Sequence, residues 1–538
     1  MTSDDSIKAF AQTKPDDILK QVNAFFQPPI IPEYLPSEML TAACYRALGY
    51  SGMKDVWISQ NGRALTKLFI EKDGVCPEPF NKKEVWKLLK DVLLSPEDPK
   101  QKRSQKYSDF LFLAPIVPAT AYFSNPVRLK KNLNTTGGTP WNVELIFKTL
   151  IAYSSFDRED SEDLWSRFYE AFGVQDDSRE DYFARIVESV LRSCADAVQK
   201  EDQDAACRFP RWERCANDIY DDGKFLISSG DRSIFSEISP LDEIRRSLRA
   251  ILALKPSFSR WQWMTMLDAQ MRMSVVALML WLLDLHHVAE RAIQRFVIDG
   301  AELPDLDDRE IFKRLYQENR VQNVFCYGEG FAKAQKLVVT RYAREYLKLA
   351  YFLFLSRELA PDVCASISWS SVSGFIDSIR KLKEVYSIAG NRDLFERGVV
   401  NMLDAKAEDL NPKKSRLKHI LEFFTVLRQR AVVESQSDFM RYDQSYLVHK
   451  KGDYSSAPFV VDIGSMACFV IAFCCANGRR VFPLKDLNRY LERYYITVQS
   501  GHVEQFLSYL KGLGLTMDSP DAGDGLMVRN PFYSEVRQ

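Results

Sequence analysis

Several residue types in this 538-residue chain could carry chemistry, and their spacing decides which of them have a case. The segment Val460-Val461-Asp462-Ile463, read as a strand, would hold Asp462 as the catalytic carboxylate of a nuclease-like site. The longer apolar run that follows favours a helix instead. A glycine-rich loop, Asn134 to Trp141, precedes a helix and invites a phosphate-binding reading, with Arg128, Lys130 and Lys131 just upstream. It lacks the lysine and the glycine spacing of a P-loop. The simpler assignment is a turn, with Thr139 as N-cap and Pro140 at the first helical position. Asp157, Glu159, Asp160, Glu162 and Asp163 are metal-ligand types, but nearly contiguous acids suit a solvated helix start better than a site built from separate elements. His286 and His287 lack a second ligand pair at helical spacing. The string Arg208 to Arg214 alternates aromatic and basic residues and would stack on a base, or pack over a loop. Ten cysteines without a C-x-x-C pair fit free thiols in a reducing cytoplasm. No G-x-S-x-G, H-E-x-x-H, P-loop or dinucleotide fingerprint occurs in the sequence. A non-catalytic chain with no cofactor and no metal is the expectation.

The elements that must position these residues read as mainly α, in a multi-domain helical protein. Residues 1–108, 109–300, 301–458 and 459–538 form the expected units, divided at the charged stretch 95–108, the acidic turn Gly300 to Asp308, and the start of the tail. The longest helix is predicted from Arg260 to about His287. Met264, Leu267, Met271, Val275, Leu278, Leu282 and Leu285 recur along it at three- and four-residue steps, a seam facing neighbouring helices. Further helices are predicted near 37–48, 81–92, 181–198, 335–358, 371–387 and 391–405. The uncharged runs Met273 to Leu283 and Ile463 to Asn477 are shorter than the roughly 20 residues of a membrane span, so both are read as core helices. The polar, acidic start of the chain is unlike a signal peptide.

The tail has the most specific order. A helix is predicted from about Phe459 to Ala476, stopped by Asn477-Gly478. A strand at Arg480 to Phe482 follows, then Pro483 opens a helix with Leu484, Leu487 and Leu491 on one face. A third helix starts at Ser500 and buries Val503, Phe506, Leu507 and Leu510. Strands Leu515 to Met517 and Leu526 to Arg529 flank a polar turn containing Asp518, Asp521 and Asp524. This order resembles the winged-helix superfamily over residues 459–532. The resemblance implies that the helix from Ser500 would enter the major groove of duplex DNA, with the turn on the backbone. Its outward residues would be His502, Gln505, Ser508, Tyr509 and Lys511.

Charge supports that implication locally. The whole chain carries a net charge of -1, but residues 411–538 hold 17 Lys and Arg against 13 Asp and Glu. A basic helix over 412–434 is predicted ahead of the tail, with Leu417, Ile420, Leu421, Phe424 and Leu427 buried and Lys413, Lys414, Arg416 and Lys418 off that stripe. Phosphate contacts are expected from those four, from Arg479, Arg480, Lys485 and Arg489, and from Lys511, with base contacts from His502, Gln505 and Ser508. The expected role is a scaffold or adaptor subunit of a DNA-processing, DNA-maintenance or antiviral defence complex, with protein partners, duplex DNA and no membrane. The alternatives are a purely protein-binding scaffold that docks through its winged helix, and a divergent nuclease.

Overall fold

The computed structural model describes residues 143–155, 157–173, 231–338, 349, 352–357, 360–367, 371–388, 424–429, 443–452, 456–517 and 526–533. The expected helices over 37–48, 81–92, 181–198 and 391–405, the loop 134–141, the string 208–214 and the turn 518–525 lie outside these residues. So do Lys413, Lys414, Arg416 and Lys418. Of the described residues 67% are helical and strands are few, a mainly α composition.

The principal elements before the tail are α1 (Val143–Ser154), α2 (Arg158–Phe172), α3 (Arg232–Ile238), α4 (Leu241–Ala253), α5 (Arg260–Ala292), α6 (Asp308–Asn319), β1 (Phe325–Cys326), α7 (Phe331–Val338), α8 (Val372–Ser387) and β2 (Val448–Lys450). The tail comprises β3 (Phe459–Val461), α9 (Ser465–Ala476), β4 (Val481–Pro483), α10 (Leu484–Arg493), β5 (Ile496–Thr497), α11 (Val503–Gly512), β6 (Thr516–Met517) and β7 (Met527–Arg529). The acidic run opens a helix as expected, and Asp157 caps it: its carboxylate accepts from the Asp160 amide at 2.8 Å. Asp160 and Asp163 are both bound by Arg249, which also holds the Asp163 carboxyl below its ordinary range.

Helix α5 is the centre of the structure. Ser259 and Gln262 form a capping box that fixes its start. Helices α1, α4, α6 and α9 pack around it. All seven residues of the expected seam are buried, but so is every residue from Met266 to Glu290. The one-sided seam is therefore corrected to burial on all sides. A helix this apolar is stable only when covered all round. The stretch Gln262–Ile298 is long and apolar enough to cross a membrane, and its apolar window is wholly buried in protein.

Burial on all sides forces the polar residues of α5 to find partners. Arg272 pairs with Asp268 at 2.8 Å on its own helix and with Asp443 at 3.2 Å, a residue 171 positions away. Gln270 donates to Ser274 (3.0 Å) and to the Tyr494 hydroxyl (2.9 Å). The Asp284 carboxylate accepts from the Tyr495 hydroxyl (2.6 Å) and from the Val321 amide (3.1 Å). One hydrophobic core runs from Phe147 to Val528, so residues on both sides of positions 300 and 458 share it.

Two expected helices change. Phe459–Val461 is a strand, paired antiparallel with β2 (Val448↔Val461, Lys450↔Phe459), and helix α9 starts only at Ser465. Of the helix expected over 412–434, only residues 424–429 are described: they form a tight turn at Phe424–Leu427, after which Arg428 bridges to Val448. In both places a backbone partner distant in sequence competes with the local helical tendency and wins. The Arg428 guanidinium lies 4.1 Å from the Phe459 ring centroid.

Candidate nucleic-acid interface

The tail is assembled from strong local stops and weak strands. Gly464 precedes α9 because a Cβ there would collide with the Gln444 carbonyl. Asn477 ends the helix in the left-handed conformation (φ 47°), with Gly478 following at φ 79°, as the Asn-Gly pair predicted. Strand β4 pairs antiparallel with β7 through Val481↔Arg529 and Pro483↔Met527, and β6 pairs with the other edge of β7. The sheet order is β4-β7-β6. Pro483 closes the strand and α10 begins one residue later, burying Leu487, Tyr490 and Leu491.

Short strand β5 leaves this sheet. It pairs in parallel with β1, Phe325↔Ile496 and Cys326↔Thr497. Tyr495 enters it at φ 62°, a costly conformation for an aromatic residue, held by its hydroxyl bond to Asp284. The Tyr490 hydroxyl meets Ser247 on α4 at 2.8 Å. The tail is thus fastened to α4, α5 and β1 by buried polar contacts.

Helix α11 has two faces. Phe506 and Leu510 are buried, and the Phe506 ring meets Tyr327 edge-on at 5.0 Å between centroids. His502 is half-buried in a tight turn ahead of α11. A Cβ added to Gly328 would lie 2.5 Å from its Nδ1, so the imidazole packs on that glycine. Tyr509 is half-buried, and burial together with Asp462 and Tyr446 pushes its hydroxyl well above the ordinary tyrosine range. Glu504, Gln505, Ser508, Lys511 and Gly512 form the exposed stripe. Of the predicted outward residues, Gln505, Ser508 and Lys511 share that stripe, whereas His502 and Tyr509 turn toward the 327–328 and 446–462 segments.

The basic residues divide in the same way. Arg479 is engaged at the end of α9: it meets Asp486 at 2.9 Å, donates to the Ala476 carbonyl at 3.1 Å and covers the Phe482 ring. Arg480, Lys485 and Arg489 are exposed, and Arg489 faces a cleft beside α3 and α6. Sequence reasoning missed Arg529, exposed at the end of β7, and the clefted Arg320 and Arg493. An alternating strand pattern would have placed Arg529; no local signal marks the other two.

Asp462, the candidate nuclease carboxylate, follows β3. Its Oδ2 lies 3.1 Å from His449 Nδ1, and its Oδ1 accepts from the Ile463 amide at 2.8 Å. Burial and this carboxylate push the Tyr446 hydroxyl up to about 12 and that of Tyr327 higher. Among the described residues no group of three or more His, Cys, Asp or Glu is placed to hold a metal ion.

Cys326, Cys468, Cys474 and Cys475 are free thiols. Burial pushes Cys468 and Cys475, both on α9, from the ordinary 9.0 up to about 12. The folded state therefore keeps a proton that the unfolded chain releases above pH 9.0. Their contribution to stability is complete below that pH and is lost as pH rises toward about 12. Urea midpoints should fall over this interval, and less steeply in Cys468→Ala; a midpoint flat with pH would show these thiols open to water. In comparisons with known proteins, the chain matches no family model and no curated sequence.

Proposed function

We propose that residues 459–532 are a winged helix through which a non-catalytic helical scaffold contacts duplex DNA, as a subunit of a DNA-processing complex. The observation that carries this reading is the pairing of sheet order β4-β7-β6 with an α11 stripe exposing Gln505, Ser508 and Lys511. That stripe is the face a winged helix lays in the major groove. Arg480, Lys485 and Arg529 supply exposed cations on neighbouring elements. Because the tail is bonded to α4 and α5, the whole chain and not a tail fragment is the proper material for the test.

Duplex affinity measured against salt concentration is the test. Replacing Lys511, Arg480 or Lys485 by Ala should weaken binding to all sequences alike and reduce the salt slope by about 1 for each phosphate no longer neutralised. Gln505→Ala and Ser508→Ala should change base preference and leave the slope unaltered. A second reading, protein docking through the same stripe, is favoured by one observation: Glu504 sits on it with Lys511 and cancels its charge. Absence of duplex binding at low salt, with none of these substitutions having an effect, would leave docking as the function.

A further inference from the structure

A cleft of about 360 Å³ opens where the C-terminal ends of α3, α6 and α10 meet. Three arginines line it: Arg320, Arg489 and Arg493. They come from positions up to 173 residues apart in the sequence, so the fold gathers like charges that the chain keeps separate. Arg320 donates to the Glu492 carbonyl at 3.0 Å and stacks over Tyr495, while Arg493 donates to the Glu237 carbonyl at 2.5 Å. Those helix-end carbonyls explain why two arginines sit there. They occupy only part of each guanidinium, which carries five N–H donors. Among the described residues none of the three meets a carboxylate at ion-pair distance. The Glu237 carboxylate in the same cleft is already paired with Lys313 at 2.6 Å. Glu492 is then the one acid among the lining residues without an ion pair, against three arginines. The amides of Gln317 and Gln322 add neutral donors to the lining.

We propose that this cleft binds the terminal phosphate of a nucleotide-sized ligand. Arginine forks match phosphate oxygens in pairs, and the volume lies within the range of small-ligand pockets. Two of the guanidiniums are pre-positioned by backbone carbonyls, so binding need not order them. The cleft shares α10 with the proposed winged helix, but α11 and its exposed stripe take no part in it.

The test is isothermal titration of the full chain with inorganic pyrophosphate and, separately, with a nucleoside diphosphate. Both should bind saturably. Arg489→Gln, an exposed position, should weaken each by about tenfold, the effect of removing one charge-assisted hydrogen bond, and leave the unliganded melting temperature unchanged. Lys336→Gln, an exposed cation on α7 away from the cleft, should bind as the parent does. Arg493→Gln, one turn further along the same helix, provides a second variant. No saturable heat with either probe, or equal binding by the parent and both arginine variants, would overturn the proposal. Displacement of pyrophosphate by a short DNA duplex would also overturn it, because the cleft would then belong to a nucleic-acid surface.

Discussion

Arg272→Leu should lower folding stability by about 3–5 kcal/mol, the range for removing one partner of a buried ion pair. Arg272 is 0% exposed and stands between Asp268 and Asp443, which are 6% and 4% exposed. The two carboxylates hold the guanidinium charged well above its ordinary range, despite the burial that opposes it. Without it, two buried acids would lose their shared countercharge and repel each other. Denaturant midpoints of parent and variant measure the loss. A drop under about 1 kcal/mol would show that water reaches the triad, because exposed pairs are worth no more than that. Replacing all three residues by apolar ones of similar volume should recover much of the stability, since the pair is costly to break and not costly to do without.

Leu278→Ala should cost about 2–5 kcal/mol, and Leu282→Ala a similar amount. Leu278 is 0% and Leu282 1% exposed, on the helix that α1, α4, α6 and α9 surround. Truncation there removes the transfer term and leaves a cavity that four packed helices cannot easily close. The lower end of the range would mean that neighbouring Met279 or Met273 swings into the space, as a flexible thioether does. Equilibrium unfolding measures the change. A value within about half a kcal/mol would place these leucines outside the core.

The helices were legible because their signals are local. The acidic run at Asp157 and the Asn477-Gly478 stop each lie within one turn, and α8 follows the predicted 371–387 span closely. The central role of α5 could be read from its apolar content, but its polar residues could not be placed. Gln270, Arg272 and Asp284 look like a solvated face until Tyr494, Asp443 and Tyr495 arrive from far along the chain.

The sequence by itself determined where some helices start or stop and that one of them is apolar enough to be a centre. Only the tertiary structure decided the strands and the two faces of α11. Strands of two or three residues are too short to show an alternating pattern, so Phe459–Val461 becomes a strand only by pairing with Val448–Lys450. His502, Gln505 and Ser508 are equally polar as residue types. What separates them is the 327–328 turn, which packs against His502 and leaves Gln505 and Ser508 in water. That packing joins segments 174 residues apart, with no local trace in either.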